Sequence, residues 1–128
     1  MNKKPLIYIG GPYTRGDVAL NVRSNLAVYM RLLDEGVVVP IAPLFTHFAH
    51  LMFPRDYEVW MSHDFDLINH CDAMLATKAE ESSLGYVQAE SSGMNREIAH
   101  CESIGVPVFY SVDDLYRHCA AIASRQAS

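Results

Sequence analysis

Two carboxylates stand on helix faces that the surrounding sequence predicts to be buried. Glu97 lies three residues after Met94 and four before Cys101, on the inward face of one predicted helix. Asp64 takes a similar place in a second helix, four residues before Ile68. A buried carboxylate is costly unless a partner or a reaction uses it. Two such acids fit glycosyl chemistry, in which one attacks the anomeric carbon and the other handles a proton.

The positions of the two acids indicate different roles. Glu97 lies one to two turns into its helix, where the dipole and the free amides favour the ionised form, so we expect it to be the nucleophile. Asp64 would then handle or orient the proton. The alternative is structural, with both acids buried against arginine or tyrosine partners. Spacing alone leaves both interpretations open.

The start of the Glu97 helix predicts an anion site. Ser91, Ser92 and Gly93 offer hydroxyls and unobstructed amides at the positive end of the helix dipole, which suits a phosphate. The same residues also serve as an ordinary helix cap. Combined with Glu97 a few residues further on, they predict a place for a 5′-phosphate beside the glycosidic bond.

Strands and helices alternate along the sequence. Short apolar runs predict strands at Pro5–Ile9, Val37–Ile41, Asp72–Thr77 and Val106–Tyr110. Helical spacing predicts helices at Asp17–Glu35, Asp56–Cys71, Ser91–Gly105 and Val112–Ala123. Residues 1–128 are therefore predicted to form one α/β domain, with helices covering a parallel sheet. Ligands bind beyond the carboxyl ends of such strands.

Further candidates lie near that edge. Gly10, Gly11 and Pro12 break the first strand without forming a dinucleotide fingerprint. In the same loop Tyr13 can line a pocket, whereas Arg15 either binds a ligand or is simply solvated. The predicted catalytic residues are Glu97, Asp64 and Tyr13. The predicted substrate-binding residues are Gly11, Arg15, His47, Trp60, Ser91, Ser92, Gly93 and Asn95.

Composition excludes several classes of protein. The net charge is −5 and the ten basic residues are scattered, which disfavours nucleic acid as a partner. Cys71, Cys101 and Cys119 form no CxxC pair, so a reducing cytoplasm is favoured over a disulfide framework or a structural zinc site. Neither a signal peptide nor a membrane span is predicted. No cofactor is predicted. His47 and His50 leave three interpretations open, namely metal, packing or pocket lining.

The chain resembles the nucleoside 2-deoxyribosyltransferase-like superfamily, including its nucleotide N-glycosidase branch and small bacterial and phage members. The resemblance rests on YIGGPYT, DYEVWMSHDFDLINHCDAML and SSGMNREIAHCESIGVPVF, and on the Gly93–Glu97 and Asp64–Asp72 spacings. It implies a Rossmann-like (flavodoxin-like) sheet of about four to five strands. It also implies a homodimer or higher homo-oligomer with shared active sites, Glu97 as nucleophile, Asp64 assisting departure of the base, and Tyr13 lining the base or sugar pocket.

One position in the resemblance concerns the substrate. Transferases of free nucleosides resemble one another in carrying an aspartate where this chain has Ser91, whereas the monophosphate hydrolases carry serine. The resemblance therefore predicts an enzyme that hydrolyses the N-glycosidic bond of a (deoxy)nucleoside 5′-monophosphate. The alternatives are a deoxyribosyltransferase that uses the same intermediate, a non-catalytic nucleotide sensor, and a metal-dependent hydrolase that uses His47, His50 and His63.

Overall fold

The computed structural model describes residues 3–11, 18–77 and 92–127. In these ranges the chain forms four strands, five α-helices and one 3-10 turn at Pro43–Phe45. The strands are β1 (Leu6–Gly10), β2 (Val39–Ile41), β3 (Ala73–Ala76) and β4 (Val108–Phe109). The helices are α1 (Val18–Glu35), α2 (Thr46–Met52), α3 (Tyr57–Asn69), α4 (Ser92–Ile104) and α5 (Val112–Ala127). No helix in the described part of the chain combines the length and apolar character that crossing a membrane requires.

The four described strands form one parallel sheet in the order β2-β1-β3-β4. In the register, Ile7 of β1 lies beside Pro40 of β2 and Ala73 of β3. Pro40 is therefore on an edge strand, where its missing N–H is tolerated. The predicted Rossmann-like α/β fold is confirmed.

The helices cover both faces of the sheet. Leu32 of α1 and Leu115 of α5 belong to the core on one face. Ile68 of α3 and Cys101 of α4 belong to the core on the other, together with Tyr8 of β1. The β1–α1–β2 and β3–α4–β4 connections thus run on opposite faces. The strand order reverses between β1 and β3, and sheets of this kind bind ligands in a crevice beyond the carboxyl ends of the strands at such a switch point.

Helix α1 turns an unexpected face to the sheet. The spacing of its apolar residues predicts a buried apolar stripe. Instead the buried positions include Asn21, Ser24 and Asn25, none of which exposes more than 6% of its surface. The large apolar side chains left exposed on α1 are Val18, Met30 and Leu33.

The position of α1 beside the end of β1 explains this inversion. Backbone carbonyls at a buried strand end need hydrogen-bond donors, which apolar side chains cannot provide. The Asn25 Nδ2 atom donates to the Ile9 carbonyl at 3.5 Å, and the Thr77 Oγ1 atom donates to the Gly10 carbonyl at 2.9 Å. Helical periodicity shows where apolar residues recur, but it does not show where the end of a strand needs hydrogen-bond donors.

Candidate active site

Glu97 is buried in α4, as its spacing predicts. The residue exposes 6% of its surface. Its neighbours along the helix, Met94, Ile98 and Cys101, pack in the core cluster that contains Tyr8. The Tyr8 hydroxyl donates a hydrogen bond to the Glu97 Oε2 atom. A fully buried strand tyrosine thus holds the carboxyl group of Glu97.

Burial controls the protonation of Glu97. Loss of solvent raises the pKa of its carboxyl group from 4.5 to about 8. The expectation that the helix dipole and the free amides favour the ionised form is therefore wrong, because burial outweighs them. Burial also raises the pKa of the Cys101 thiol to about 11, with the Glu97 charge acting in the same direction. The thiol one turn along α4 therefore stays protonated near neutral pH and does not compete as a nucleophile.

Asp64 provides a second perturbed carboxyl group. It is half-buried on α3, and burial raises its pKa to about 6, against an opposing effect of the His63 charge. Its Oδ1 atom is buried and has no hydrogen-bond partner within the described ranges. Such an oxygen is costly in the folded protein, which makes it a candidate to exchange a proton with a ligand.

Contacts between α3 and α4 hold the two acid-bearing helices together. Arg96 binds both carboxylate oxygens of Glu58, at 2.7 and 3.0 Å. The His100 ring stacks on the Phe65 ring with a centroid distance of 4.5 Å, and its Nε2 atom lies 2.8 Å from the Asn69 Oδ1 atom. Because these contacts flank Glu97 and Asp64 in sequence, they fix the relative position of the helices that carry both acids.

The carboxyl end of β1 leaves little room around Gly10 and Gly11. A Cβ atom on Gly10 would lie 2.3 Å from the Met74 Cε atom. A Cβ atom on Gly11 would lie 2.5 Å from the Thr77 Oγ1 atom and 3.2 Å from the Asn25 Nδ2 atom. Close packing, rather than a special backbone angle, therefore explains glycine at the predicted binding position Gly11.

Asn25 is the second buried group with an unpartnered atom. Its side chain is 1% exposed, and its Oδ1 atom has no hydrogen-bond partner in the described part of the chain. Sequence reasoning did not single out this residue. A signal was available, since Asn25 lies four residues before Tyr29 and seven before Leu32, on a side of the helix that carries apolar residues, and a buried amide must bond to something.

The other predicted residues divide into three groups. Gly93 and Asn95 lie in the first turn of α4, which begins at Ser92, and Asn95 is exposed. His47 lines a groove between α1 and α2. Tyr13, Arg15 and Ser91 lie outside the described residues.

Trp60 joins α2 to α3. Its Nε1 atom donates to the His50 Nδ1 atom at 2.8 Å, and the backbone N–H of Arg55 donates to the same nitrogen at 3.3 Å. This geometry favours packing as the role of His50. No cluster of three or more His, Cys, Asp or Glu side chains that could hold a metal ion occurs in the residues described.

Tyr8 is the site residue that sequence reasoning missed. The sequence places it inside the predicted apolar strand Pro5–Ile9, whose other large side chains are aliphatic. A tyrosine in a fully buried strand usually finds a hydrogen-bond partner for its hydroxyl. That rule could have indicated Glu97 or Asp64, the two acids predicted to be buried, as the partner of Tyr8.

Comparison with known proteins identifies the family of the chain but no activity. A family model described as a domain of unknown function, DUF7768, matches residues 5–111, and the chain belongs to this family. No curated protein matches the chain, and no solved structure does. The function is therefore argued from the site.

Proposed function

We propose that this DUF7768 protein is an N-glycosidase that hydrolyses the base–sugar bond of a (deoxy)nucleoside 5′-monophosphate. The products are the free base and the sugar 5-phosphate. The observation that carries the proposal is the buried Glu97 carboxyl group, which is bonded to the hydroxyl of Tyr8 in β1, one of the two strands at the switch point. The perturbed Asp64 on the adjoining helix supports the same chemistry.

The proposed reaction has two steps. Ionised Glu97 attacks C1′ of the sugar, a C–O bond forms, and the C1′–N bond breaks as Asp64 gives its proton to the departing base. Water then attacks C1′ and returns a proton to Asp64, while the glycosyl–Glu97 bond breaks and the carboxylate is restored. Tyr8 orients Glu97 and stabilises its charge through the hydroxyl bond.

The two pKa values predict how the proposed rate depends on pH. The reaction needs ionised Glu97, whose pKa is about 8, and protonated Asp64, whose pKa is about 6. At pH 7 each group is in the required form in about a tenth of molecules, so roughly one molecule in a hundred is competent. The rate should be nearly constant from about pH 6 to 8 and fall on both sides.

The substrate class rests on the start of α4. Ser91, Ser92 and Gly93 are proposed to hold the 5′-phosphate at the positive end of the helix. A serine at position 91 can donate to a phosphate, whereas an aspartate there would repel it. Tyr13 and Arg15 are proposed to line the sugar or base side of the same crevice.

A panel of nucleoside monophosphates and nucleosides, each incubated with and without a free acceptor base, tests the proposal. Chromatography should detect released base from a monophosphate without an acceptor. Glu97→Gln should lower this rate at least about a thousandfold, because it removes the nucleophile. Glu102→Gln, an exposed glutamate on the same helix, is the matched control and should leave the rate unchanged.

The other outcomes separate the alternatives. Base exchange that occurs only with an acceptor would indicate that the protein is a transferase and not a hydrolase. Binding without turnover in both wild type and Glu97→Gln would indicate a sensor.

Intact-protein mass spectrometry tests for the glycosyl–Glu97 intermediate. After rapid quenching with substrate, wild type should be heavier by one glycosyl phosphate group.

We further propose that the protein works in the cytoplasm as a homo-oligomer. Cys71, Cys101 and Cys119 are all free and buried thiols, which suits a reducing compartment. The apolar face that α1 leaves exposed supports self-association.

A further inference from the structure

Helix α1 and the segment around α2 together form an exposed apolar surface, here named the α1–α2 surface. An open groove of about 710 Å³ runs between the helices. Val22, Leu26 and Met30 line it from α1, and His47 and Phe48 line it from α2. The Phe45 ring, just before α2, meets Tyr29 of α1 edge-on with a centroid distance of 4.9 Å, so the two helices present one continuous surface.

The exposed area of this surface is large for a small protein. Its members with substantial exposure are Val18 (38%), Met30 (48%), Leu33 (49%), Phe45 (45%), Phe48 (69%), Leu51 (62%), Met52 (74%) and Phe53 (68%). At about 150–200 Å² for each fully exposed side chain, they present roughly 700–900 Å². The largest apolar patch of a typical monomer is about 300–600 Å².

The fold itself does not account for this apolar face. Asn21, Ser24 and Asn25 occupy buried positions of α1, so the helix meets the sheet partly through polar side chains. Leu32 still packs in the core, but the apolar side chains of Val18, Met30 and Leu33 are exposed. Exposed apolar surface on this scale costs free energy in water unless something covers it.

We propose that the α1–α2 surface is the docking site for a second copy of this chain, related to the first by a two-fold axis. This names the interface of the proposed homo-oligomer and does not depend on the reaction. The exposed apolar area equals the ~800 Å² that each partner contributes to a standard stable interface.

The shape and charge of the surface favour a second copy as its occupant. A two-fold interface must be self-complementary, so one surface has to carry both a projection and a recess that receives it. Phe48 is 69% exposed on the α2 side of the open groove, and in the proposed dimer it packs against Leu26 and Met30 on the α1 side of the partner's groove. Arg23 carries the only fixed charge among the groove residues described, in keeping with the depletion of charge at interface centres.

Sedimentation equilibrium over about 1–200 µM tests the interface. Wild type should have twice the mass of one chain. Phe48→Lys should raise the dissociation constant about a hundredfold or more, because it places a charge in an apolar recess near Arg23. Tyr110→Lys, a matched change at a 65% exposed aromatic residue beyond β4 at the far sheet edge, should leave it unchanged.

A pair of opposite charges tests the proposed contact itself. Met30→Glu alone should also be monomeric, but mixing it with Phe48→Lys should restore a dimer with one copy of each variant. Thermal melts followed by circular dichroism confirm that each variant is folded. Monomeric wild type, or a Phe48→Lys protein as dimeric as Tyr110→Lys, would overturn the proposal.

Base release measured on the same samples keeps the interface and the reaction separate. An active wild type that is monomeric throughout the concentration range overturns the interface and the proposed homo-oligomer but leaves the proposed reaction standing. A wild type that dimerises through Phe48 and releases no base from any nucleotide supports the interface and overturns the reaction.

Discussion

The bond between Tyr8 and Glu97 gives the sharpest test of the proposed site. Tyr8→Phe removes only the hydroxyl that donates to the Glu97 Oε2 atom. The ring keeps its place in the core formed with Ile68, Met74 and Cys101. Any change in rate can therefore be assigned to the lost donor rather than to a cavity.

The magnitude follows from the strength of a hydrogen bond to a charged group. Such a bond stabilises the ionised form by about 1.5–3 kcal/mol, so its loss should raise the pKa of Glu97 further, by roughly 1–2. The ionised fraction near pH 7, and with it the rate, should fall about ten- to hundredfold. The upper end of the flat region of the pH profile should move from about pH 8 to about pH 9–10, because Glu97 sets that limit.

The assay is base release measured from about pH 5 to 10 on wild type and variant. Tyr116→Phe is the matched control, because the Tyr116 hydroxyl also donates to a glutamate, Glu35, at 2.7 Å but in an exposed pair on α1 and α5. The control should keep both the rate and the profile. A Tyr8→Phe enzyme with the wild-type profile would refute the assignment of Tyr8 as the residue that tunes Glu97.

Three further predictions follow from the same geometry. Glu97→Gln should stabilise the protein at pH 8 but not at pH 4. The pKa of Glu97 is raised from 4.5 to about 8 in the folded state, so the unfolded chain ionises first and the free energy of unfolding falls between these pH values, by up to roughly 4–5 kcal/mol. Thermal melts with Glu102→Gln as control check this, and an equal gain at both pH values contradicts it. Asp64→Asn should slow base release about 10²–10⁴-fold for natural bases, yet only slightly for a substrate whose leaving group needs no proton; equal losses for both would remove its proton-donor role. Gly11→Ala should lower the free energy of unfolding by about 1–3 kcal/mol, because the new Cβ atom meets the Thr77 Oγ1 atom. Thr77→Ala in the same chain should relieve part of that cost. Strictly additive losses of stability in a double-mutant cycle would count against the clash.

The helices show where sequence reasoning succeeds and where it stops. Glu97 was predicted to be buried because Met94 and Cys101 fix the inward face of α4, and local periodicity is sufficient for that. The same reasoning failed for α1, where the end of β1 requires donors such as Asn25. A helix that meets backbone polar groups departs from the rule that its apolar side is buried.

The sequence alone could not predict which residues far apart along the chain would pair. Tyr8 and Glu97 are 89 positions apart, and Arg96 and Glu58 are 38 apart. Their types are compatible with many partners, and only the folded chain selects among them. The same holds for the α1–α2 surface, since no local pattern states which apolar side chains a neighbouring element will cover.

Local patterns in the sequence were enough to predict the alternation of strands and helices, the parallel sheet and the inward position of Glu97. Each of these follows from local spacing and from the handedness of the connections. Only the folded chain shows that Tyr8 is the partner of Glu97 and that the Asp64 Oδ1 atom has no partner among the described residues. The same is true of α1, where Asn21, Ser24 and Asn25 are buried while several large apolar side chains are exposed. These outcomes depend on which groups the fold removes from water together, and burial is a property of the whole packed chain.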